Sequence, residues 1–140
     1  MTKNTDELMN ILKSANDTQI LDDVLAGIDG TSDFKTYINN ILLERDWSIA
    51  DLQRRSCIAR TYMYQIMDGT RNPGRDKVIL IALALEIDVT ETMRLLKLTS
   101  NPVLYPKNRR DAILIYALNN KLTVADCNRL LATYEEAELT

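Results

Sequence analysis

Histidine is absent from this 140-residue chain, and glycine, cysteine and long apolar runs are scarce. The missing imidazole removes the commonest general base and the commonest metal ligand, so we expect no catalytic centre, no metal and no cofactor. The four glycines form neither a GxxxxGK nor a GxGxxG phosphate-binding pattern. The acidic side chains that could be paired fall at helix starts or on polar faces, so a catalytic carboxylate dyad is disfavoured. The sequence indicates a binding protein and not an enzyme.

The longest apolar run, from Val78 to Leu85, has eight residues, whereas a membrane-spanning helix needs about 20. The first ten residues are polar and acidic, with no apolar core typical of a secretion signal. Cys57 and Cys127 are isolated, which fits reduced thiols better than a disulfide framework. We therefore expect a cytoplasmic protein without a membrane span. Cys57 is either a redox sensor or, as we prefer, a small packed apolar residue.

Helical periodicity runs through the chain, and no alternating strand pattern persists beyond a few residues. A clear example is the segment 34–45, in which one apolar stripe contains Phe34, Tyr37, Ile38, Ile41 and Leu42. The sequence predicts an all-α protein of about nine helices.

The middle of the chain carries strong helix start and stop signals. Ser48 can cap a helix over 48–56 together with Asp51, three residues later. A second helix over 60–68 should end at Gly69, because glycine readily adopts the left-handed conformation that ends helices. A turn over 70–74 follows. The next helix, over 76–85, is apolar nearly all round and should be the central buried one.

The two ends of the chain differ from this middle part. Residues 1–33 contain two basic and seven acidic side chains, a net charge of −5, and indicate an acidic extension with short helices near 6–14 and 18–27. At the other end, Pro102 and Pro106 exclude a continuous helix. Residues 99–140 are therefore predicted to be a linker and a C-terminal helical extension.

Two similar helix openings, around Asp88 and Thr123, precede the similar phrases MRLLKLT and NRLLATY. Either a small internal duplication or the residue pattern common to helix N-termini explains this likeness, and we favour the second explanation. The apolar segment from Ala112 to Leu118 is either a homodimer surface or a face packed onto the core.

The chain is acidic, with a net charge of −3, yet its basic residues gather in one window. From Gln53 to Lys77 there are six basic and two acidic side chains, so this window carries +4 and the remainder carries −7. A local basic patch on an acidic protein is the electrostatic footprint expected of a nucleic-acid contact.

The same window carries a phrase typical of one family, of the form S-x-x-x-L followed by I-S-R-x-Y-L-x-x-I-x-x-G-x-R-x-P. The chain resembles the Xre-type, phage-repressor-like (Cro/lambda-repressor) helix-turn-helix family over about 34–98, roughly half its length. The residues that carry the resemblance are Leu52, Ile58, Met63, Ile66, Gly69, the Arg-Asn-Pro turn at 71–73 and the end of the fourth helix at 82–85.

The resemblance implies a five-helix repressor-like domain at 34–98, in which the helix over 60–68 enters the major groove of double-stranded DNA. It implies a transcriptional regulator, and repressor-like domains usually act as homodimers. Arg, Gln and Thr side chains can read base edges, and basic groups beside a turn can hold phosphates. The expected base contacts are Arg60, Thr61, Tyr64 and Gln65, and the expected phosphate contacts are Arg71, Asn72, Arg75 and Lys77.

Four residues depart from the family pattern, namely Ile49, Gln53, Cys57 and Asp68. Cys57 stands where a turn glycine is usual, so it must adopt a left-handed backbone or reshape the turn. Asp68 is unfavourable beside a polyanion. These departures and the acidic N-terminus leave an alternative open: a protein-interaction module on a helix-turn-helix scaffold, with a partner bound through the terminal extensions or through Tyr62 and Tyr64.

Overall fold

The computed structural model describes residues 9, 10, 13 and 30–140, of which the first three are helical. The part from 30 to 140 forms seven helices and no strand, which confirms the predicted all-α class. The helix expected near 18–27 lies outside the described residues, as does most of the one expected near 6–14. The seven helices are α1 (Gly30–Arg45), α2 (Ile49–Ser56), α3 (Arg60–Asp68), α4 (Arg75–Leu85), α5 (Val89–Leu98), α6 (Arg109–Asn119) and α7 (Val124–Thr133).

Three helices begin with the side-chain caps that the sequence signals predict, whereas α1 begins at Gly30, four residues before the predicted range 34–45. Ser48 and Asp51 form a reciprocal capping box: the Asp51 N–H donates to Ser48 Oγ at 3.1 Å, and the Ser48 N–H donates to Asp51 Oδ2 at 2.8 Å. These bonds satisfy N–H groups that have no partner within the helix. The Asp88 side chain caps α5 and Thr123 caps α7 in a similar way. Gly69 ends α3 with φ 86°, as predicted.

Helix α4 is the centre of the core. All eight residues from Val78 to Leu85 are buried, which confirms the prediction that this helix is the central one. It packs against α2, α5, α6 and α7. Because a helix that is apolar all round has no solvated face, neighbours must cover it on every side.

The C-terminal helices join this same core. Leu114, Ala117 and Leu118 of α6 are buried, as are Val124, Cys127 and Leu131 of α7. Packing onto the core therefore accounts for much of the apolar segment from Ala112 to Leu118, although Tyr116 stays exposed. Helices on both sides of the predicted boundary at 98/99 contact one another directly.

Candidate nucleic-acid interface

Helices α2 and α3 pack together across a three-residue turn, which is the connection length of a helix-turn-helix. Cys57 ends α2 in the left-handed conformation, with φ 60° and ψ 19°. The turn therefore keeps the backbone that glycine usually adopts, at the cost of strain in a residue that has a side chain. Gln53 supports the turn, because its Nε2 donates to the Ile58 carbonyl at 2.7 Å. Two of the departures from the family pattern, one in the turn and one in α2, are thus compatible with this turn.

Helix α3 is split into a buried and an outward face. Met63, Ile66 and Met67 are buried in the core. Three of the four predicted base-contacting residues, Arg60, Thr61 and Tyr64, are exposed, and Gln65 is half-buried. The polar side chains of α3 therefore face solvent together, because residues that do not belong to the apolar stripe share the opposite side of a helix.

Two basic side chains flank the ring of Tyr62. The Arg71 guanidinium lies 4.5 Å from the ring centroid and the Lys77 ammonium lies 4.9 Å from it. In a similar contact, the Arg60 guanidinium lies 5.7 Å from the centroid of the Tyr64 ring. We call Arg60, Arg71 and Lys77 the stacked cations. Cation–π contact leaves the N–H donors at the edge of each cation available to an incoming anion.

A cavity of about 260 Å³ lies between α2 and α3, and Arg60 is the stacked cation that lines it. Arg54 and Arg60 line it with Gln53 and the Tyr64 ring. Arg54 also pairs with Asp51, one turn earlier on α2. Cationic, amide and aromatic groups thus meet in one recess at the outward edge of the helix pair.

Arg75 occupies a different environment from Arg71 and Lys77. It binds both carboxylate oxygens of Asp111, at 2.8 and 2.7 Å, and donates to the carbonyls of Pro102 and Val103, each at 2.9 Å. Four of its five N–H donor sites thereby have partners inside the chain. Hydrogen bonding to Asp111 raises the pKa of Arg75. Its geometry is that of a structural side chain joining α4 to α6.

A second ion pair lies beside the first, and here α4 supplies the carboxylate and α6 supplies the arginine. Asp76 accepts two hydrogen bonds from Arg110, at 3.1 and 3.0 Å. Arg110 also donates to the carbonyls of Ala137 and Glu138 in the C-terminal tail. We call the four residues Arg75, Asp76, Arg110 and Asp111 the ion-pair junction. An Arg-Asp dipeptide on α4 thus meets an Arg-Asp dipeptide on α6.

Asn72, a predicted phosphate contact, also bonds within the chain. Its Nδ2 donates to the Thr99 carbonyl at 2.8 Å. In return, Asn101 Nδ2 donates to the Pro73 carbonyl at 3.0 Å. These two bonds tie the turn over 70–74 to the segment after α5. They therefore restrain the backbone around Arg71.

Neither the ion-pair junction nor the stacking of arginines on Trp47 was predicted from the sequence. Arg55 lies 4.1 Å and Arg45 lies 5.1 Å from the Trp47 ring centroid. The repeated Arg-Asp dipeptide was a signal for the junction, but pairing across 36 and 34 positions becomes visible only when α4 and α6 meet. For Trp47, the available signal was Arg45, two positions earlier, whereas Arg55 lies eight positions later.

Asp68 keeps its negative charge at the end of α3. Its carboxylate accepts the Thr70 N–H at 2.8 Å, and hydrogen bonds from Thr70 hold the pKa of Asp68 below its usual value. The charge that disfavours a nearby phosphate is therefore present at neutral pH. It lies at the end of α3 opposite to Arg60.

Two other features are absent from the part of the chain that the structure describes. There, no group of three or more Cys, Asp or Glu side chains is arranged to hold a metal ion. In the same residues, no helix has both the length and the apolar character needed to cross a bilayer. Cys57 is exposed and Cys127 is buried, and burial raises the pKa of the Cys127 thiol to about 11.

Comparison with known proteins found no matching family model, no similar curated protein and no similar solved structure. The resemblance to repressor-type domains therefore stays a prediction from the sequence.

Proposed function

We propose that the chain is a DNA-binding transcriptional regulator whose α2–turn–α3 unit docks on double-stranded DNA, with α3 in the major groove. One observation carries the proposal: α3 exposes Arg60, Thr61 and Tyr64 on a single face, and Arg71 and Lys77 lie against Tyr62 on the same helix. Polar residues able to read base edges thus lie beside cations able to hold phosphates. The repressor-like five-helix arrangement of 34–98 is part of this proposal.

Within this proposal the predicted contact residues take different roles. Arg60, Thr61, Tyr64 and Gln65 face the bases, whereas Arg71 and Lys77 hold the backbone phosphates. Neither Arg71 nor Lys77 has an ion pair or a side-chain hydrogen bond within the described residues, so both charges are available. Asn72 ties the turn to the Thr99 carbonyl and Arg75 ties α4 to α6, so most of their donors already have partners within the chain.

We also propose a cytoplasmic homodimer, because one α3 offers few base contacts and two-fold DNA sites bring two such helices together. The C-terminal helices offer the surface, with Tyr116 exposed on α6. Light scattering at tens of micromolar protein tests this state. A monomer at that concentration contradicts the dimer and leaves DNA binding open.

Fluorescence anisotropy with a mixed-sequence duplex tests DNA binding directly. Affinity should fall steeply between about 50 and 200 mM salt, because the bound cations release counterions from the duplex. The same titration with residues 1–29 deleted shows whether the acidic N-terminus weakens binding. Selection from random-sequence duplexes then identifies the preferred site, and no enriched motif would contradict sequence-specific regulation.

A protein-interaction module is the second candidate, and the exposed side chains after α5 favour it. Val103 and Tyr105 are 40% and 58% exposed, at the edge of an open cavity of about 630 Å³. The arginines that line this cavity pair with Asp76, Asp111 and Glu136, so their charges are already balanced. Absence of duplex binding at low salt, with and without residues 1–29, would make this module the better proposal.

A further inference from the structure

Tyr62 lies at the meeting point of three elements that the DNA proposal needs. The residue belongs to α3, whereas Arg71 lies in the turn over 70–74 and Lys77 lies in the first turn of α4. Both cations stack on its ring, at 4.5 and 4.9 Å. The Gly74 N–H also points to the Tyr62 hydroxyl, at a long 3.5 Å. One half-buried ring thus joins the two cations and the turn between them.

We propose that Tyr62 is a positioning residue that orders Arg71 and Lys77 for a pair of backbone phosphates of duplex DNA. This inference rests on the proposed function and adds a residue that does not itself contact the DNA. The ring holds each cation over its face, and the outward N–H groups then point to the phosphates.

The physical reason is the entropy of long basic side chains. Ordering one such side chain on binding costs about 0.5–1.5 kcal/mol, which corresponds to a factor of roughly 2 to 13 in affinity. Stacking on Tyr62 restricts Arg71 and Lys77 before the DNA arrives, so less of that loss accompanies binding. A guanidinium or ammonium on a ring face keeps its hydrogen-bond donors, whereas an ion pair occupies them.

Stacking also distinguishes these cations from their neighbour. Arg75 lies between Arg71 and Lys77 in sequence, but Asp111 and two carbonyls take most of its donors. Arg71 and Lys77 are held by a neutral ring, so their charge is restrained without being neutralised. A cation that is held in place but not paired keeps its charge for an incoming phosphate.

A double-mutant cycle tests the proposal on full-length protein with a mixed-sequence duplex at about 50 mM salt. Arg71→Ala is measured in the wild-type and in the Tyr62→Leu background. We expect the Arg71→Ala factor to be at least about two-fold smaller in the Tyr62→Leu background, because Arg71 has already lost its support there. Arg60→Ala, which removes a cation stacked on Tyr64, should cost the same factor in both backgrounds. Tyr62→Phe keeps the ring and should bind within about two-fold of wild type.

Equal Arg71→Ala factors in the two backgrounds would overturn the positioning role while leaving DNA binding in place. Absence of salt-dependent binding by the wild-type protein would overturn the proposed function, and this inference with it. If Tyr62→Leu does not fold, pentafluorophenylalanine at position 62 replaces it, since that side chain keeps the shape of phenylalanine but removes the negative ring face. It should then weaken binding relative to Tyr62→Phe, and equal affinity of these two variants would contradict the role of the ring.

Discussion

The stacked cations and the ion-pair junction use the same residue types in opposite ways. At the stacked surface, Arg60, Arg71 and Lys77 rest on tyrosine rings and have no carboxylate partner within the described residues. At the junction, the side chains of Arg75 and Arg110 are each bound bidentately by a carboxylate and are only 22% and 19% exposed. The role of an arginine in this protein is therefore decided by its partners.

The ion-pair junction also supports the backbone that carries two of the stacked cations. The junction fixes the start of α4, and the Asn72 and Asn101 bonds fix the turn before it. Both stacked cations on Tyr62 extend from this fixed backbone. In our proposal the junction supplies rigidity and the stacked surface supplies charge, so the two regions should respond to different measurements.

The largest expected effect is on stability at the junction. Asp111→Ala removes a buried carboxylate and leaves the partly buried Arg75 without its counter-ion, so it should lower the free energy of unfolding by about 2 kcal/mol. Urea denaturation measures this change. Asp126→Ala is the matched control, because its pair with Arg129 is exposed and should contribute about 0.5 kcal/mol or less. Similar losses for both variants would contradict the distinction between the two kinds of ion pair.

Acid should weaken the junction in a predictable window. Burial alone would raise the pKa of Asp111, but hydrogen bonds from Arg75 and from the Tyr105 N–H outweigh it and hold the pKa below 3.8. A carboxyl whose pKa is lower in the folded than in the unfolded state stabilises the fold above the unfolded value. This contribution should disappear as the pH falls from about 4 through the folded value. Thermal unfolding between pH 5 and 2 measures it, and Asp111→Asn should reduce the dependence.

Replacing individual cations should have smaller effects. These replacements distinguish cations that bind phosphate from a cation that stabilises the fold. Arg71→Ala and Lys77→Ala should each reduce the slope of log affinity against log salt by about 0.9, because each removes one phosphate contact. Stability should change little. Arg75→Ala should have the opposite effect, with lower stability and an unchanged slope in the folded protein. Anisotropy titrations over a salt series give the slopes, and a reduced slope for Arg75→Ala would place that residue on the DNA.

The smallest expected effect lies in the turn between α2 and α3. Cys57→Gly should stabilise the fold by about 0.5 kcal/mol, since glycine adopts φ 60° without the strain of a side chain and the exposed thiol contributes little packing. Cys57→Ala is the control and should leave stability nearly unchanged. Chemical denaturation measures both variants. A loss on glycine substitution would indicate that the thiol makes a contribution beyond backbone geometry.

Much of the fold could be predicted from the sequence, because its signals are local. The capping box at Ser48, the stop at Gly69 and the apolar run from Val78 to Leu85 each act within one or two helical turns. The predicted ranges 48–56, 60–68 and 76–85 consequently differ from the observed helices by one residue at most. The outward position of Arg60, Thr61 and Tyr64 on α3 follows from the same periodicity.

Only the tertiary structure distinguished Arg75 from Arg71 and Lys77. The sequence places these three cations within seven positions and assigns them one role. Asp111 lies 36 residues beyond Arg75, and nothing local specifies that they meet. The contact forms because α4 is apolar on every side and draws α6 onto its surface, which aligns the first turns of both helices. The helices were thus determined by short-range hydrogen bonding and side-chain periodicity, whereas the partner of each charge was decided by how the buried faces pack.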